Sequence, residues 1–229
     1  MNDLTGSRVR GLQGLDRSEP YFTRIRDAGL PPMPRYSSEH SEKTYRRILD
    51  ATGTVVRTRG FSGGLRGMMD AIGMTRGAVY HHFGSKDRLL VKTLEDIFEA
   101  NRKLWTERLG DLRGPQRIAR MLDLYLSEIH AGDVEGGCAI PSVLSDLSRV
   151  DPVLRKPFET YYAWLIDEIS AHIDEENART RASGVLAAAF GGLATARAVA
   201  DPATRQEILN AANNAARLLC GAPPLERRT

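Results

Sequence analysis

The chain has 229 residues, 41% of them apolar and 27% charged, a balance that excludes wholesale disorder and allows a sizeable core. No run approaches the ~18 apolar residues of a membrane-spanning helix, and residues 1–10 lack the apolar centre of a secretory signal. Two cysteines, Cys138 and Cys220, are too few for a metal cluster or a disulfide framework, so the expectation is a cytoplasmic protein with both thiols reduced. The net charge of +3 is uneven: residues 33–109 hold 14 basic and 9 acidic side chains, residues 110–229 hold 13 and 16. A basic segment joined to an acidic one points to an anionic partner, nucleic acid being the commonest; the alternative is a chance fluctuation in solvated charge.

Residues 1–38 show no sustained period and are punctuated by Gly6, Gly11, Gly14, Gly29, Pro20, Pro31, Pro32 and Pro34. They read as a mobile arm, and Met33 at its end is a candidate for the true start. Helical spacing follows. Ile48, Leu49, Thr52, Val55 and Val56 predict a first helix over about 42–58, ending at Gly60. Leu65, Met68, Met69 and Ile72 predict a short second helix closed by Gly73. A short third is capped by Thr75 and ends at Phe83-Gly84. Ser85 caps a long fourth, running to about Leu109. Gly114-Pro115 starts a fifth that carries its apolar period through Tyr125 and Leu126 to Ile129. After a glycine break, Gly132 to Gly137, come a sixth near 139–149 and a seventh opened by Asp151-Pro152. A helix rich in alanine and glycine spans about 179–199, and Asp201-Pro202 opens the last. No alternating strand pattern appears, so the class is all-α.

The second and third helices are joined by Gly73-Met74-Thr75, the layout of a helix-turn-helix. The second helix of that unit enters the major groove with its first residues, here Thr75, Arg76, Gly77 and Ala78. Arg76 either offers paired donors to guanine or makes a non-specific phosphate contact, the methyl of Ala78 suits thymine, and Gly77 lets backbone approach the duplex. Lys86, beside the free amides at the start of the fourth helix, suits a phosphate. His81 is expected to face the groove. His82, adjacent to it and about 100° round the helix, cannot join it on one metal.

The run Gly73-Met74-Thr75-Arg76-Gly77-Ala78-Val79-Tyr80-His81-His82-Phe83-Gly84-Ser85-Lys86-Asp87-Arg88-Leu89-Leu90 resembles the DNA-binding domain of the TetR (tetracycline-repressor) family of bacterial transcription regulators. The resemblance extends from Lys43 to Leu90. It implies a phosphate contact from Tyr80 and a homodimer built through the last two helices. It also implies a C-terminal domain that binds a small-molecule effector. The expected organisation is an arm (1–38), a three-helix DNA-binding domain (39–86) and a larger helical effector-binding and dimerisation domain (87–229).

Within the last domain Phe98, Trp105, Tyr125, Cys138, Tyr161 and Trp164 are candidates for an effector pocket; the competing reading of each is ordinary packing. Cys138, just ahead of a helix, is either a thiol activated by amide dipoles or a buried inert one. No phosphate loop, catalytic triad or acidic metal cluster is present, so neither an enzyme nor a cofactor nor a metal is expected. His172 with Asp167, Glu168 and Asp174 reads as the solvated face of the seventh helix. The function expected is a ligand-responsive repressor acting on a double-stranded operator; the alternative is a DNA-binding regulator whose second domain only dimerises. The fourth helix, about 25 residues and ~37 Å long, is the expected rod between pocket and DNA.

Overall fold

The computed structural model describes residues 38–61, 70, 73 and 75–225; the side chains of Ser38, Arg76 and Ala78 are not described. The expected arm, Met33 and the second predicted helix with Met68 all lie outside these residues. The chain divides into two compact units, Met1–Ser41 and Glu42–Thr229; of the first, only the opening turn of a helix is described.

The described elements are α1 (Ser38–Arg59), α2 (Arg76–Phe83), α3 (Lys86–Leu109), α4 (Gly114–Tyr125), α5 (Glu128–Gly132), α6 (Ile140–Leu147), α7 (Pro152–Ser170), α8 (Ala178–Ala198) and α9 (Pro202–Cys220). No strand occurs among the described residues, and no helix among them is long and apolar enough to cross a membrane. Three helix starts follow the sequence signals. Ser85 accepts from the Arg88 amide at 3.1 Å, Asp151 from Val153 at 2.9 Å and Asp201 from Thr204 at 2.8 Å. Each satisfies an amide that has no partner inside its helix, and Pro152 and Pro202 fill first-turn positions where a missing N–H costs nothing.

Other boundaries differ from the expectation. α1 starts at Ser38, four residues early, because its polar first turn shows no apolar period while Glu39 suits the positive end of the helix. The predicted fifth helix breaks at Leu126 (φ −96°, ψ 53°), and Ser127 caps a separate α5 by accepting from His130 N at 3.2 Å. Ile129, which extended the apparent period, is 87% exposed. α6 is shorter than predicted at both ends.

The core is a single cluster of buried residues. Ile48 and Val56 of α1 and Val79 and Phe83 of α2 close on Leu89, Leu90 and Leu94 at the start of α3. Tyr45 stacks on Phe83 at 4.7 Å. Farther along α3, Ile97 and Phe98 join Tyr161, Leu165 and Ile169 of α7. One helix thus serves the cores of the N-terminal head and the larger body. α8 lies along α9 so closely that a Cβ on Gly192 would stand 2.3 Å from that of Ala212. Here the small residues of α8 serve packing within the chain.

Candidate functional site

α2 is two-faced. Val79 and Phe83, four apart, are buried, while Thr75, Gly77, Tyr80 and His81 face solvent. Tyr80 is 52% exposed, so its hydroxyl is open to a partner. His82 is half-buried against Tyr45, at 6.5 Å between ring centres, and burial together with neighbouring His81 lowers its pKa. Gly84 (φ +75°) reverses the chain directly into α3. Lys86 therefore opens α3 just past the end of α2. Ser85 occupies the Arg88 amide only, leaving the first amides of α3 free of helix partners. Lys86 has no ion-pair partner among the described residues.

The body encloses a cavity of about 380 Å³, walled by α3, α4, α7, α8 and the segment between α4 and α6. Of the six candidates for an effector pocket, Trp105, Tyr125, Cys138 and Tyr161 line it. Phe98 and Trp164 do not. They lie behind the wall, stacked on Tyr161 at 4.7 Å and 5.6 Å, and Trp164 also carries the Arg102 guanidinium at 5.4 Å. Sequence reasoning missed Met121, His130 and Phe190 as lining residues. The Ile118–Met121–Leu122–Tyr125 spacing identifies the buried face of α4 but cannot say that it faces a void.

The segment 130–138 forms one wall without regular structure after Gly132. His130 Nδ1 is 2.7 Å from the Tyr125 carbonyl, and Nε2 accepts from the Cys138 amide at 3.1 Å. This pair of bonds fixes the neutral ring with its proton on Nδ1. Arg197 of α8 donates to the carbonyls of His130 and Cys138, both at 3.1 Å, and of Asp133 at 3.3 Å. Gly137 is pressed so tightly that a Cβ would stand 2.3 Å from the Asp133 carbonyl and 2.9 Å from Arg197, so no side chain fits there. The Cys138 thiol is buried and accepts from the Ile140 amide at 3.4 Å. Burial outweighs that amide and pushes the thiol pKa up, which argues for the inert reading of Cys138.

The same wall is bonded to the head. Arg57, near the end of α1, donates from Nε to the Gly137 carbonyl at 3.1 Å. The Ser142 hydroxyl donates to the Arg57 carbonyl, and Asp146 accepts the Phe61 amide at 2.8 Å. Gly60 ends α1 at φ +60° against the Ser142 carbonyl. His172 is not part of a solvated helix face: it follows α7, and its Nδ1 accepts the Gly114 amide at 3.1 Å, anchoring the start of α4. Glu168 pairs with Arg117 at 2.6 Å. Among the described residues no group of His, Cys, Asp and Glu could hold a metal ion.

Residues 48–93 match the model of the bacterial regulatory proteins of the tetR family. An uncharacterised HTH-type transcriptional regulator of Lactococcus lactis is 24% identical over 137 residues, 57% of this chain and 68% of the relative. An HTH-type transcriptional repressor of Mycobacterium tuberculosis is 40% identical over 58 residues, 25% of this chain and 31% of the relative. Among solved structures, the reduced form of Escherichia coli NemR superposes with a TM-score of 0.66 at 20% identity, covering 80% of this chain and all of that one.

His130 gives the fold a pH dependence. Its Nε2 must be unprotonated to accept the Cys138 amide, and burial holds its pKa below the ordinary histidine value. A depressed pKa means stability that is complete above the ordinary histidine range and lost as pH falls through the lower folded value. Thermal unfolding midpoints should therefore fall as pH is lowered from about 7 to about 5. His130→Ala should cost about 1–3 kcal/mol at pH 7 and flatten that decline. Equal pH dependence in the two proteins would exclude His130 as a contributor.

Proposed function

Since this chain belongs to the TetR family and is a DNA-binding transcription regulator, we propose that it is a repressor released from its operator when a small molecule fills the cavity. One observation carries this reading: the cavity wall is hydrogen-bonded to the head, through Gly137 and Arg57. A ligand that displaces the Gly136–Cys138 wall must move or break that bond, and with it the end of α1. α3 provides a second route, since its far end lines the cavity at Trp105 and its near end stands beside Lys86. Its 24 residues span about 36 Å. Two reading heads need a spacing of about 34–36 Å, so a tilt of either connection costs register. A ligand preferring the off-register form about 100-fold supplies ~2.7 kcal/mol per site.

On DNA, Thr75, Tyr80 and Lys86 take backbone phosphates, Arg76, Ala78 and His81 face base edges, and Gly77 lets the helix seat closely. The outward face of α2 and the free amides beside Lys86 support this assignment. Lys86→Ala should weaken binding to operator and random DNA alike and lower the salt slope by about one unit, measured by fluorescence anisotropy across a salt series. A loss confined to the operator would assign Lys86 to base reading instead.

A second copy docks on α8 and α9. Thr180, Ala187, Gly191, Thr195 and Ala198 form an exposed stripe of small residues along α8, and Ala211, Ala215 and the 80% exposed Leu218 form one along α9. Gly191 meets nothing within 4 Å of a Cβ position, in contrast to its neighbour Gly192. Gly191→Leu should thus leave the chain's own packing intact while converting dimer to monomer in sedimentation at micromolar concentration. A dimer that survives this change unaltered would move the interface elsewhere.

The linkage itself is tested with Arg57→Met, which keeps the aliphatic length and removes the donor. A compound found by screening to lower operator affinity of the unaltered protein at least tenfold should bind this variant as well, yet lower its affinity less than about threefold. Full release in the variant would remove Arg57 from the route. Failure of every compound in a broad screen to change operator affinity would favour a second domain that only dimerises.

A further inference from the structure

The cavity's walls restrict what can occupy it. Four aromatic side chains from four helices meet there: Trp105 of α3, Tyr125 of α4, Tyr161 of α7 and Phe190 of α8. Tyr125 is the hub, with ring centres 6.4 Å from Trp105, 5.9 Å from Phe190 and 4.8 Å from His130. The remaining interior wall is largely aliphatic, supplied by residues such as Ile118, Met121, Leu165 and Leu186. Charged lining side chains are confined to Arg108 and Asp133, both exposed. His130 lines the cavity but is held neutral by its two backbone bonds. Arg197, half-buried and not itself lining the cavity, commits Nη1 and Nη2 to three carbonyls, while its Nε has no partner among the described residues. An ion entering would shed its hydration and find no opposite charge in the interior, so the walls reject ions. The volume, about 380 Å³, is near the lower end for ligand pockets and suits one or two rings.

One polar group of this wall lacks a strong partner. Tyr125 is 6% exposed, and its hydroxyl has only the Cys138 thiol, a weak partner, beside it and no oxygen or nitrogen acceptor among the described residues. Burial raises the phenol's pKa, keeping it a donor at neutral pH. A buried donor without an acceptor is costly, and a ligand oxygen removes that cost.

We propose that the cavity takes an uncharged one- or two-ring aromatic molecule whose single oxygen acceptor pairs with the Tyr125 hydroxyl. The proposal rests on the reading of this cavity as the effector site. It specifies the chemistry of the effector: π faces against Trp105, Tyr161 and Phe190, one acceptor at the Tyr125 end, and no carboxylate or ammonium group.

Three probes of one shape separate these elements in the full-length protein by titration calorimetry: 2-acetylnaphthalene, 2-isopropenylnaphthalene and 2-naphthoate. The ketone should bind at least about fivefold tighter than the alkene, which lacks the acceptor, and at least about tenfold tighter than the carboxylate. Tyr125→Phe should bring ketone and alkene within about twofold of each other while leaving the alkene's affinity unchanged. That variant deletes a hydroxyl whose only neighbour is a weakly bonding thiol, so its unfolding midpoint should be nearly equal or higher, which shows that the fold is kept. Carboxylate binding as tight as the ketone would overturn the exclusion of charge. Equal ketone and alkene affinities, or a preference that survives Tyr125→Phe, would overturn the role of Tyr125. Binding of none of the three up to their solubility limits would overturn the aromatic class. The effector reading is scored separately by operator anisotropy: the full binding pattern without DNA release upholds the ligand class and counts against the effector role. DNA release by a charged molecule that displaces nothing aromatic upholds the effector role and overturns this proposal.

Discussion

Peptide groups in an irregular, partly buried segment must find partners outside secondary structure, and residues 130–138 meet that demand with turn bonds and four side chains, among them Asp133, which accepts the Gly136 amide. Arg197 satisfies the carbonyls of His130, Asp133 and Cys138; His130 satisfies the Tyr125 carbonyl and the Cys138 amide; Arg57 satisfies Gly137. The cavity exists because this wall stands at a distance from α3 and α7 instead of collapsing onto them, and the bonds hold it there. Both arginines donate to neutral carbonyls, which leaves their charge only partly compensated; burial accordingly pulls the Arg57 guanidinium below its ordinary pKa. Arg57 thus makes a less secure joint than an ion pair would.

The packing on either side of that joint is unequal. α8 and α9 are locked at Gly192–Ala212, and the buried Asn213 and Arg217 join the half-exposed Asp123 in a hydrogen-bonded cluster between α4 and α9, with Arg217 2.7 Å from Asn213 and 2.5 Å from Asp123. The head instead leans on α3 and on a few polar contacts: Arg57 to Gly137, Ser142 to the Arg57 carbonyl, Asp146 to Phe61, and an exposed Arg46–Asp96 pair at 2.6 Å. Exposed pairs of that kind contribute little, roughly 0–1 kcal/mol. Among the described residues, polar contacts between the head and the body beyond α3 are thus few, while the body's own helices are cross-linked at several points.

The sequence made the head's reading helix, the long α3 and three helix caps legible, because those signals are local: a hydroxyl or carboxylate three residues from an amide, or apolar residues three and four apart. It misjudged elements whose cause is distant. Ile129 extends the apolar period of α4, yet Ser127 interrupts the helix and turns Ile129 to solvent. Six residues were candidates for the pocket, and four line the cavity; aromatic identity does not reveal whether a ring faces a void, like Trp105, or another ring, like Phe98 against Tyr161. The links from Arg57 and Arg197 to the wall span 80 and 59 residues and end on backbone carbonyls, which every residue type possesses and no sequence pattern marks. His172 failed as a surface residue for the same reason, its partner being the Gly114 amide.

That anonymity of the carbonyl acceptors bears on how such a protein can diversify. On the proposed reading the side chains that would meet a ligand, Trp105, Met121, Tyr161 and Phe190, are distinct from the side chains that bond the wall to the head and to α8, Arg57 and Arg197; only the Gly137 backbone belongs to both sets. Mutational drift at the first group would then change what is bound without touching those bonds. Drift at positions such as Val134 and Glu135 changes neither, since the carbonyls that Arg57 and Arg197 hold belong to other residues. A duplicated gene could thus acquire a new chemical signal through a handful of substitutions and inherit its means of response intact.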